Sequence, residues 1–245
     1  MFWIKQIVVG DGERGLLYRN RRFERVLAPG VYRVFDPRNR VAVTVHPLVR
    51  PEYAGSDAEV LMARIDGPLA EHFVLADIGT DQVGLVLKNG KLEDVLAPGA
   101  RRLYWKGLVA VEVVTVSLVD TLRVDPRVAE RLRQLGVLAK VAVTVDVPTE
   151  SAGLLFVDST LVETLAPGAY AFWSFRRNVS LEVIDLRVQS LEVSGQELLT
   201  RDKVSLRVNL AASLRVTDPV AARTKVAKYG DYVYRELQYG LRKAV

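Results

Sequence analysis

The sequence predicts a β-rich α+β fold made of three tandem antiparallel β-meander units, with C-terminal helices after the third. Two observations predict this fold. The tetrapeptide Leu-Ala-Pro-Gly occurs at residues 27–30, 96–99 and 165–168, so its copies are 69 residues apart. Hydrophobic residues make up 49% of the chain, and the many valines among them favour strands. A fixed period indicates a structural unit that is repeated along the chain.

Each copy of the repeat carries the signals of a hairpin. Runs beginning at Gly15, Gly84 and Gly153 pass through a polar pair and end in Leu-Ala-Pro-Gly. The pairs are Asn20-Arg21, Asn89-Gly90 and Asp158-Ser159, and Asn-Gly is a strong hairpin signal. Proline followed by glycine suits the centre of a type II turn, where glycine takes a positive φ. The expected turn residues are Pro29, Gly30, Pro98, Gly99, Pro167 and Gly168.

The period divides the chain into three expected domains, residues 1–69, 70–138 and 139–245. In the second, Asp125 and Pro126 predict a helix start and Gly136 predicts its end, with Val128 and Leu132 on one face together with Leu135. The first has a looser counterpart over residues 57–64.

The third copy continues further than the others. Apolar residues alternate from Val204 to Val216, which predicts a half-buried strand. Asp218-Pro219 predicts a helix ending near Gly230, and a second helix is expected from Asp231. The chain ends within that second helix, so we expect it to be a fragment of a longer protein.

The third copy resembles the SPFH superfamily, which includes stomatin, prohibitin, flotillin and the bacterial HflK/HflC proteins, and within it the slipin branch. The resemblance runs over residues 147–245, through several motifs in a fixed order. Its motif residues are Asp185, Arg187, Gln196, Glu197, Thr200, Asp202, Arg215, Asp218 and Pro219. The resemblance implies that residues 139–245 form an SPFH domain.

The resemblance also implies a function: self-assembly into a homo-oligomeric scaffold at a membrane, which organises or restrains other proteins. A membrane protein of the NfeD type is the partner that it implies. The chain departs from the family in two ways. Two extra repeat copies stand where stomatin-like proteins carry an apolar membrane segment, and the long assembly helices are expected beyond Val245.

Composition excludes several kinds of site. The chain has no cysteine, which excludes disulfides, zinc–thiolate sites and cysteine nucleophiles. No apolar run approaches the roughly 18 residues of a transmembrane helix, and the start lacks the features of a signal peptide. We therefore expect a cytoplasmic protein, peripheral at the inner face of the cell membrane.

The sequence offers no catalytic constellation. The two histidines, His46 and His72, have no partners at metal-ligand spacing and are interpreted as structural. A phosphate-binding loop and a nucleophile elbow are both absent. We expect no catalytic, cofactor-binding or metal-binding residues, no cofactor and no enzymatic activity.

An alternative function is a peripheral binding module for anionic surfaces, either acidic lipid or nucleic acid. It would use the basic first unit, although the net charge of +5 is mild and nucleic acid is not the expected partner. A solvated hairpin is the other interpretation. The candidate contact residues are Arg19, Arg21, Arg22, Arg25, Arg38 and Arg40.

Aromatic residues follow the second and third Pro-Gly turns. They are either membrane-interface anchors or core residues, and the second interpretation is preferred because the small units offer little other bulk. The residues are Tyr104, Trp105, Phe172, Trp173 and Phe175.

Overall fold

The computed structural model describes residues 3–200 and 202–244. The chain forms two compact units, the first ending at Leu122 and the second beginning at Arg123. The first unit contains two copies of the repeat, and the second contains the third copy and its extension. The division into three domains, at residues 69 and 138, stays a prediction.

The three copies have strands at equivalent positions. The first has β1 (Ile4–Val9), β2 (Glu13–Arg19), β3 (Arg22–Leu27), β4 (Gly30–Phe35) and β5 (Val41–Pro47), followed by β6 (Glu52–Tyr53), α1 (Ala58–Met62) and a 3-10 turn (Gly67–Leu69). The second has β7 (Phe73–Asp77), β8 (Gln82–Lys88), β9 (Lys91–Leu96), β10 (Arg101–Trp105) and β11 (Val111–Ser117), followed by α2 (Pro126–Gln134) and α3 (Leu138–Val141). The third has β12 (Ala142–Val147), β13 (Ser151–Val157), β14 (Thr160–Leu165), β15 (Gly168–Trp173) and β16 (Val179–Asp185).

Strand pairing is the same in every copy. The second strand pairs with the third and the fifth, and the first strand pairs with the fourth in a separate sheet. The glycine that begins each motif run faces the leucine of Leu-Ala-Pro-Gly, and each hairpin has a register shift at the same place. The repeat and the antiparallel, β-rich α+β fold class are therefore confirmed.

The meander connectivity is wrong in one respect. In a meander the strand after the Pro-Gly turn would pair with the hairpin, whereas β4 pairs with β1 and β5 returns to β2. Two small sheets built this way can bury apolar side chains between them, which a single flat sheet cannot. In the first copy one core cluster consists of the buried residues Val9, Leu17, Leu27 and Val41.

The Pro-Gly turns differ among copies. The glycines all have positive φ, at 149° for Gly30, 74° for Gly99 and 151° for Gly168. Only Gly99 fits a type II turn, in which the N–H of Ala100 donates to the carbonyl of Ala97 at 3.0 Å. The prediction of three type II turns is therefore wrong for the other two.

A tyrosine replaces the turn hydrogen bond in the first and third copies. Tyr32 Oη donates to the carbonyl of Ala28 at 2.8 Å, and Tyr170 Oη donates to that of Ala166 at 2.9 Å. The second copy has Arg101 at the corresponding place in the repeat. Gly30 and Gly168 are already paired as the first residues of their strands.

The predicted cap of α2 is confirmed, whereas α1 has no side-chain cap. Asp125 accepts hydrogen bonds from the N–H groups of Arg127 and Val128, which begins α2 as expected, and Ala129 and Leu132 are its buried residues. Helix α1 is short, and the carboxylate of Asp57 before it makes no capping hydrogen bond.

The extension of the third copy is a long hairpin followed by two helices. These elements are β17 (Gln189–Leu199), β18 (Ser205–Leu214), α4 (Pro219–Thr224) and α5 (Tyr229–Ala244). The predicted strand at 204–216 and the helix after Asp218 are confirmed. The predicted end of the first helix near Gly230 is wrong, because α4 ends at Thr224. The predicted start of the second at Asp231 is two residues late, because α5 begins at Tyr229 and includes Gly230.

Candidate functional site

Five of the six candidate arginines lie in or next to two loops at one end of the β2–β5 pair, whereas Arg25 lies within β3 and lines a cleft with His72. The turn between β2 and β3 and the loop between β4 and β5 are joined by a hydrogen bond from the Asn20 N–H to the Arg40 carbonyl, at 2.9 Å. All the candidate arginines are exposed: Arg19, Arg21, Arg22, Arg25, Arg38 and Arg40. Their contact with an anionic surface stays a prediction.

Two acidic residues, Asp36 and Glu24, lie near these arginines. Asp36 contacts backbone N–H groups and Lys5, and Glu24 pairs with a single arginine. Asp36 accepts hydrogen bonds from the N–H groups of Arg40 at 2.7 Å and Val41 at 2.9 Å, and lies 3.1 Å from Lys5 Nζ. Burial opposes these contacts, but together they hold the pKa of Asp36 below its usual value. Glu24 pairs with Arg19 at 2.8 Å. Within the described residues, the other five arginines have no ion-pair partner.

A second feature of the first copy is an apolar outer face on the β1–β4 sheet. Ile4 pairs with Phe35 and Val8 pairs with Val31, and all four side chains are exposed. The ring of Trp3 lies 6.0 Å from that of Phe35. The sequence interpretation missed this face. Ile4, Gln6 and Val8 occupy every second position of one strand, so the sequence already showed two apolar residues on one face.

A partly buried polar cluster lies between β2 and the segment that connects the first copy to the second, residues 48–72, here called the first connector. Tyr18 and Tyr53 both donate hydrogen bonds to the carboxylate of Asp57. Burial, aided by this carboxylate, raises the pKa of Tyr18 to about 12 and that of Tyr53 further. The cluster explains why Asp57 does not cap α1. No local sequence signal could have revealed it, because Tyr18 and Asp57 are 39 residues apart.

The histidines occupy ordinary packing positions in the first unit. The ring of His46 lies 5.0 Å from that of Tyr53 and 5.8 Å from that of Trp105. Burial lowers the pKa of both His46 and His72. His72 lines a cleft of about 540 Å³ together with Phe23, Glu24, Arg25, Val26, Arg64, Asp66, Pro68 and Leu69. This lining contains a base but no hydroxyl nucleophile.

Aromatic residues after the second and third Pro-Gly turns are mostly in the core. Tyr104, Trp105, Phe172 and Trp173 are each 1% exposed. The preferred interpretation as core residues is confirmed for these four. Phe175 is half-buried and its ring lies 6.1 Å from that of Trp173.

Ion pairs and hydrogen bonds fix the first motif residues of the third copy. Arg187 binds both carboxylate oxygens of Asp185, with Nε at 3.0 Å from each and Nη2 at 2.6 Å from Oδ2. This side chain, with the Arg187 N–H, lowers the pKa of Asp185 to about 2. Arg215 Nε donates to the carbonyl of Leu186 at 3.2 Å, which ties the end of the hairpin to the same corner.

The remaining motif residues shape the hairpin and the start of α4. Glu197 lies opposite Arg207, and Gln196 follows a register shift where Gly195 donates to Asn209. Thr200 closes the hairpin turn by accepting from the Val204 N–H at 3.1 Å, with Asp202 exposed in this turn. Asp218 caps α4 by accepting from the Ala221 N–H at 2.8 Å, and Pro219 is its first residue. These positions are structural, and any functional role of the motif stays a prediction.

Neither a metal site nor a membrane-spanning helix is found among residues 3–200 and 202–244. No group of three or more His, Asp or Glu side chains in these ranges could hold a metal ion. No helix there has the length and apolar character needed to cross a bilayer.

Comparison with known proteins places most of the chain in one family. Residues 76–245 match the model of the SPFH domain / Band 7 family. A stomatin homolog of Pyrococcus horikoshii is 49% identical over 47 residues, which cover 19% of this chain and 18% of the relative. An uncharacterized protein of Archaeoglobus fulgidus is 35% identical over 77 residues, covering 31% of this chain and 30% of the relative. Stomatin-3 of Caenorhabditis elegans is 45% identical over 47 residues, again covering 19% and 18%. The chain therefore spans less than a third of the length of each curated relative in these matches.

Proposed function

Because the chain belongs to the SPFH domain / Band 7 family, we propose that it is a non-enzymatic, self-assembling scaffold of the stomatin/slipin type. In this proposal it organises or restrains partner proteins at a membrane surface, on the cytoplasmic side. The observation that carries the proposal is the family match over residues 76–245. An NfeD-type membrane protein is the proposed partner, and its co-purification after co-expression tests that part separately.

The use of the motif residues supports a structural role. The carboxylates of Asp185 and Asp218 make an ion pair and a helix cap, and the hydroxyl of Thr200 closes a turn. Catalysis by acid and base would need titratable groups whose pKa values are driven apart next to a substrate cleft. In the third copy, the carboxylate with a strongly lowered pKa is that of Asp185. It is held in an ion pair by the exposed side chain of Arg187, next to the end of β16.

The β17–β18 hairpin offers a surface for self-association. It forms a two-stranded sheet, so the outer edges of both strands are unpaired within the described chain. Unpaired edges are templates for pairing with another chain. Near the tip, Leu199 is 67% exposed, Val204 54% and Leu206 41%. These side chains are about half exposed, so covering each one completely would favour assembly by about 1 kcal/mol, roughly half of the value for a fully exposed side chain.

Sedimentation velocity over a range of concentrations tests the scaffold proposal. At high concentration the hairpin should be enough to form multimers of the wild-type chain, even without the assembly helices expected beyond Val245. A variant with Leu199→Ser and Val204→Ser should shift towards the monomer. Val49 and Val119 are 70% and 78% exposed in the first unit, so Val49→Ser with Val119→Ser is the matched control and should behave as wild type. A wild-type chain that is monomeric at every concentration, or equal effects of the two variants, would contradict the proposal.

A further inference from the structure

The outer face of the β1–β4 sheet is an exposed apolar patch. Trp3 is 51% exposed, Ile4 57%, Val8 61%, Val31 61% and Phe35 59%. The pairs Ile4–Phe35 and Val8–Val31 lie on this same face of the sheet. The pair Gln6–Arg33 lies between them, so this face is apolar at both ends and polar in the middle. Large exposed apolar side chains grouped on one face mark an interaction surface. We call these five residues the apolar face.

The other copies cover the equivalent face. In the second copy, Phe73, Leu103 and Trp105 are at most 2% exposed and pack with Leu61 and Met62 of α1. In the third copy, Ala142, Ala171 and Trp173 are buried, and α2 and α3 contact β15 and β12. In both cases the covering helices lie in the segment that precedes the copy: α1 precedes the second copy, and α2 and α3 precede the third. In the first copy the five side chains of the apolar face stay 51–61% exposed, and no helix among the described residues packs on them.

Positive charge is concentrated next to this face. Residues 14–40 contain eight arginines and two acidic residues, a net charge of +6, whereas the whole chain carries +5. The loop that follows Phe35 carries Arg38 and Arg40, and the N–H of Asp36 in it donates to the Trp3 carbonyl at 2.7 Å. The aromatic end of the apolar face and the arginine end of the copy are therefore the same end.

We propose that this surface of the first copy docks on an anionic lipid bilayer, with the apolar face in the interfacial region and the arginines on the headgroups. Tryptophan and other aromatic side chains favour the membrane–water interface, and clustered arginines are attracted to anionic headgroups. A nucleic acid would satisfy the arginines but would leave the valines and isoleucine in water. The inference goes beyond the proposed scaffold, because residues 1–75 lie outside the matched family region.

The tryptophans provide a direct probe of docking. Trp3 is 51% exposed, whereas Trp105 and Trp173 are each 1% exposed, so a change in emission on binding reports on Trp3. The wild-type chain is mixed with phosphatidylcholine vesicles with or without about a third of phosphatidylglycerol. Anionic vesicles should shift the emission to the blue, and brominated lipid should quench it. A Trp3→Phe variant should still co-sediment with the vesicles but should lose both signals.

Two variants of equal net charge test the position of the charge. R21Q, R22Q, R25Q, R38Q and R40Q together remove five exposed cations of the first copy, four of them at the two loops of its arginine end. R127Q, K140Q, K225Q, K228Q and R235Q remove five exposed cations from the second compact unit. Each arginine near an anionic surface contributes roughly a factor of five to binding, so the first variant should bind vesicles at least about tenfold more weakly than the second.

Removal of the apolar face provides the complementary test. Val8→Ser with Phe35→Ser should weaken vesicle binding at moderate salt, and circular dichroism should show an unchanged fold because both side chains are exposed.

Equal weakening by the two charge variants, or vesicle binding without quenching of Trp3, would overturn the proposal. Duplex DNA binding that matches vesicle binding would indicate a general polyanion site instead. Dissociation of multimers by Val8→Ser with Phe35→Ser, with vesicle binding unchanged, would assign the face to contacts between copies. Loss of vesicle binding with unchanged sedimentation leaves the scaffold proposal intact.

Discussion

Close packing at the start of each hairpin predicts an unequal cost for the same substitution in two copies. A Cβ at Gly84 would lie 2.5 Å from Ile78 Cδ1, 3.0 Å from Ile78 Cγ1 and 3.2 Å from Leu96 Cβ. Carbon atoms that are not bonded prefer separations of about 3.5–4.0 Å. Ile78 is 2% exposed, so its side chain cannot move into solvent.

The expected magnitude follows from these distances. Overpacking a core costs about 1–3 kcal/mol. Replacing glycine also restricts the unfolded chain, which offsets about 0.4–1 kcal/mol. Gly84→Ala should therefore lower the free energy of unfolding by about 1–2 kcal/mol. At Gly15 the nearest atoms are 3.2 and 3.3 Å away, which is closer than preferred but less close than at Gly84. Gly15→Ala is therefore the matched control and should cost less than Gly84→Ala.

A second substitution tests the cause. Ile78→Val removes Cδ1, the closest atom to the new Cβ, and alone should cost about 0.5–1.5 kcal/mol. The double variant should lose less free energy of unfolding than the sum of the losses in the two single variants, because Ile78→Val relieves the clash. Urea unfolding of the four proteins, followed by far-ultraviolet circular dichroism, measures these differences. A Gly84→Ala chain as stable as Gly15→Ala, or full additivity in the double variant, would refute the reasoning.

Three further predictions concern the cap, the tyrosine cluster and the acidic corner. Asp125→Ala should lower the free energy of unfolding by about 1 kcal/mol, measured by urea unfolding, because two N–H groups of α2 lose their acceptor. The pKa of Tyr18 is about 12 in the folded chain and near 10 when unfolded, so its contribution is complete below pH 10 and is lost between about pH 10 and 12. Urea midpoints across that range should fall less steeply in Tyr18→Phe. The pKa of Asp185 is lowered to about 2, so its contribution is present above about pH 4 and is lost as the pH falls towards 2. Arg187→Gln should raise this pKa towards its ordinary value in an NMR titration.

Local signals in the sequence were enough to predict the repeat and its hairpins. The spacing of 69 residues fixed equivalent strands, and the polar pairs at Asn20, Asn89 and Asp158 lie in the turns as predicted, with positive φ at all three. The cap at Asp125 was also predictable, because it depends on a few adjacent residues. Each of these features is decided by interactions within a short segment of chain.

The partner of the strand after the Pro-Gly turn was not predictable in this way. Turn chemistry decides how the chain reverses, but it does not decide which strand edge the next segment reaches. In the first copy β4 pairs with β1 because this closes a core around Leu17 and Leu27. The choice depends on packing between segments that are distant in sequence.

The candidate surface of the first copy was only half predictable. The arginines were visible as a charge cluster, but nothing in the pattern of residues indicated that the two loops are joined by a hydrogen bond. The exposure of Trp3 and Phe35 is visible only in the folded copies, where the equivalent face of the second copy is buried against α1. An apolar strand face is normally expected to be buried, so a pattern alone favours the opposite conclusion.

Hydrogen exchange of the wild-type chain, with and without anionic vesicles, tests most directly whether the first copy docks and the third copy assembles. Residues 3–9 and 30–40 should gain protection with vesicles, because they form the apolar face and its arginine loop. Residues 189–214 should gain protection as protein concentration rises, with or without vesicles, because they form the hairpin. Residues 82–88, already paired on both sides, should not change. Protection by vesicles that is absent from residues 3–40, or an unchanged hairpin at every concentration, would contradict the account.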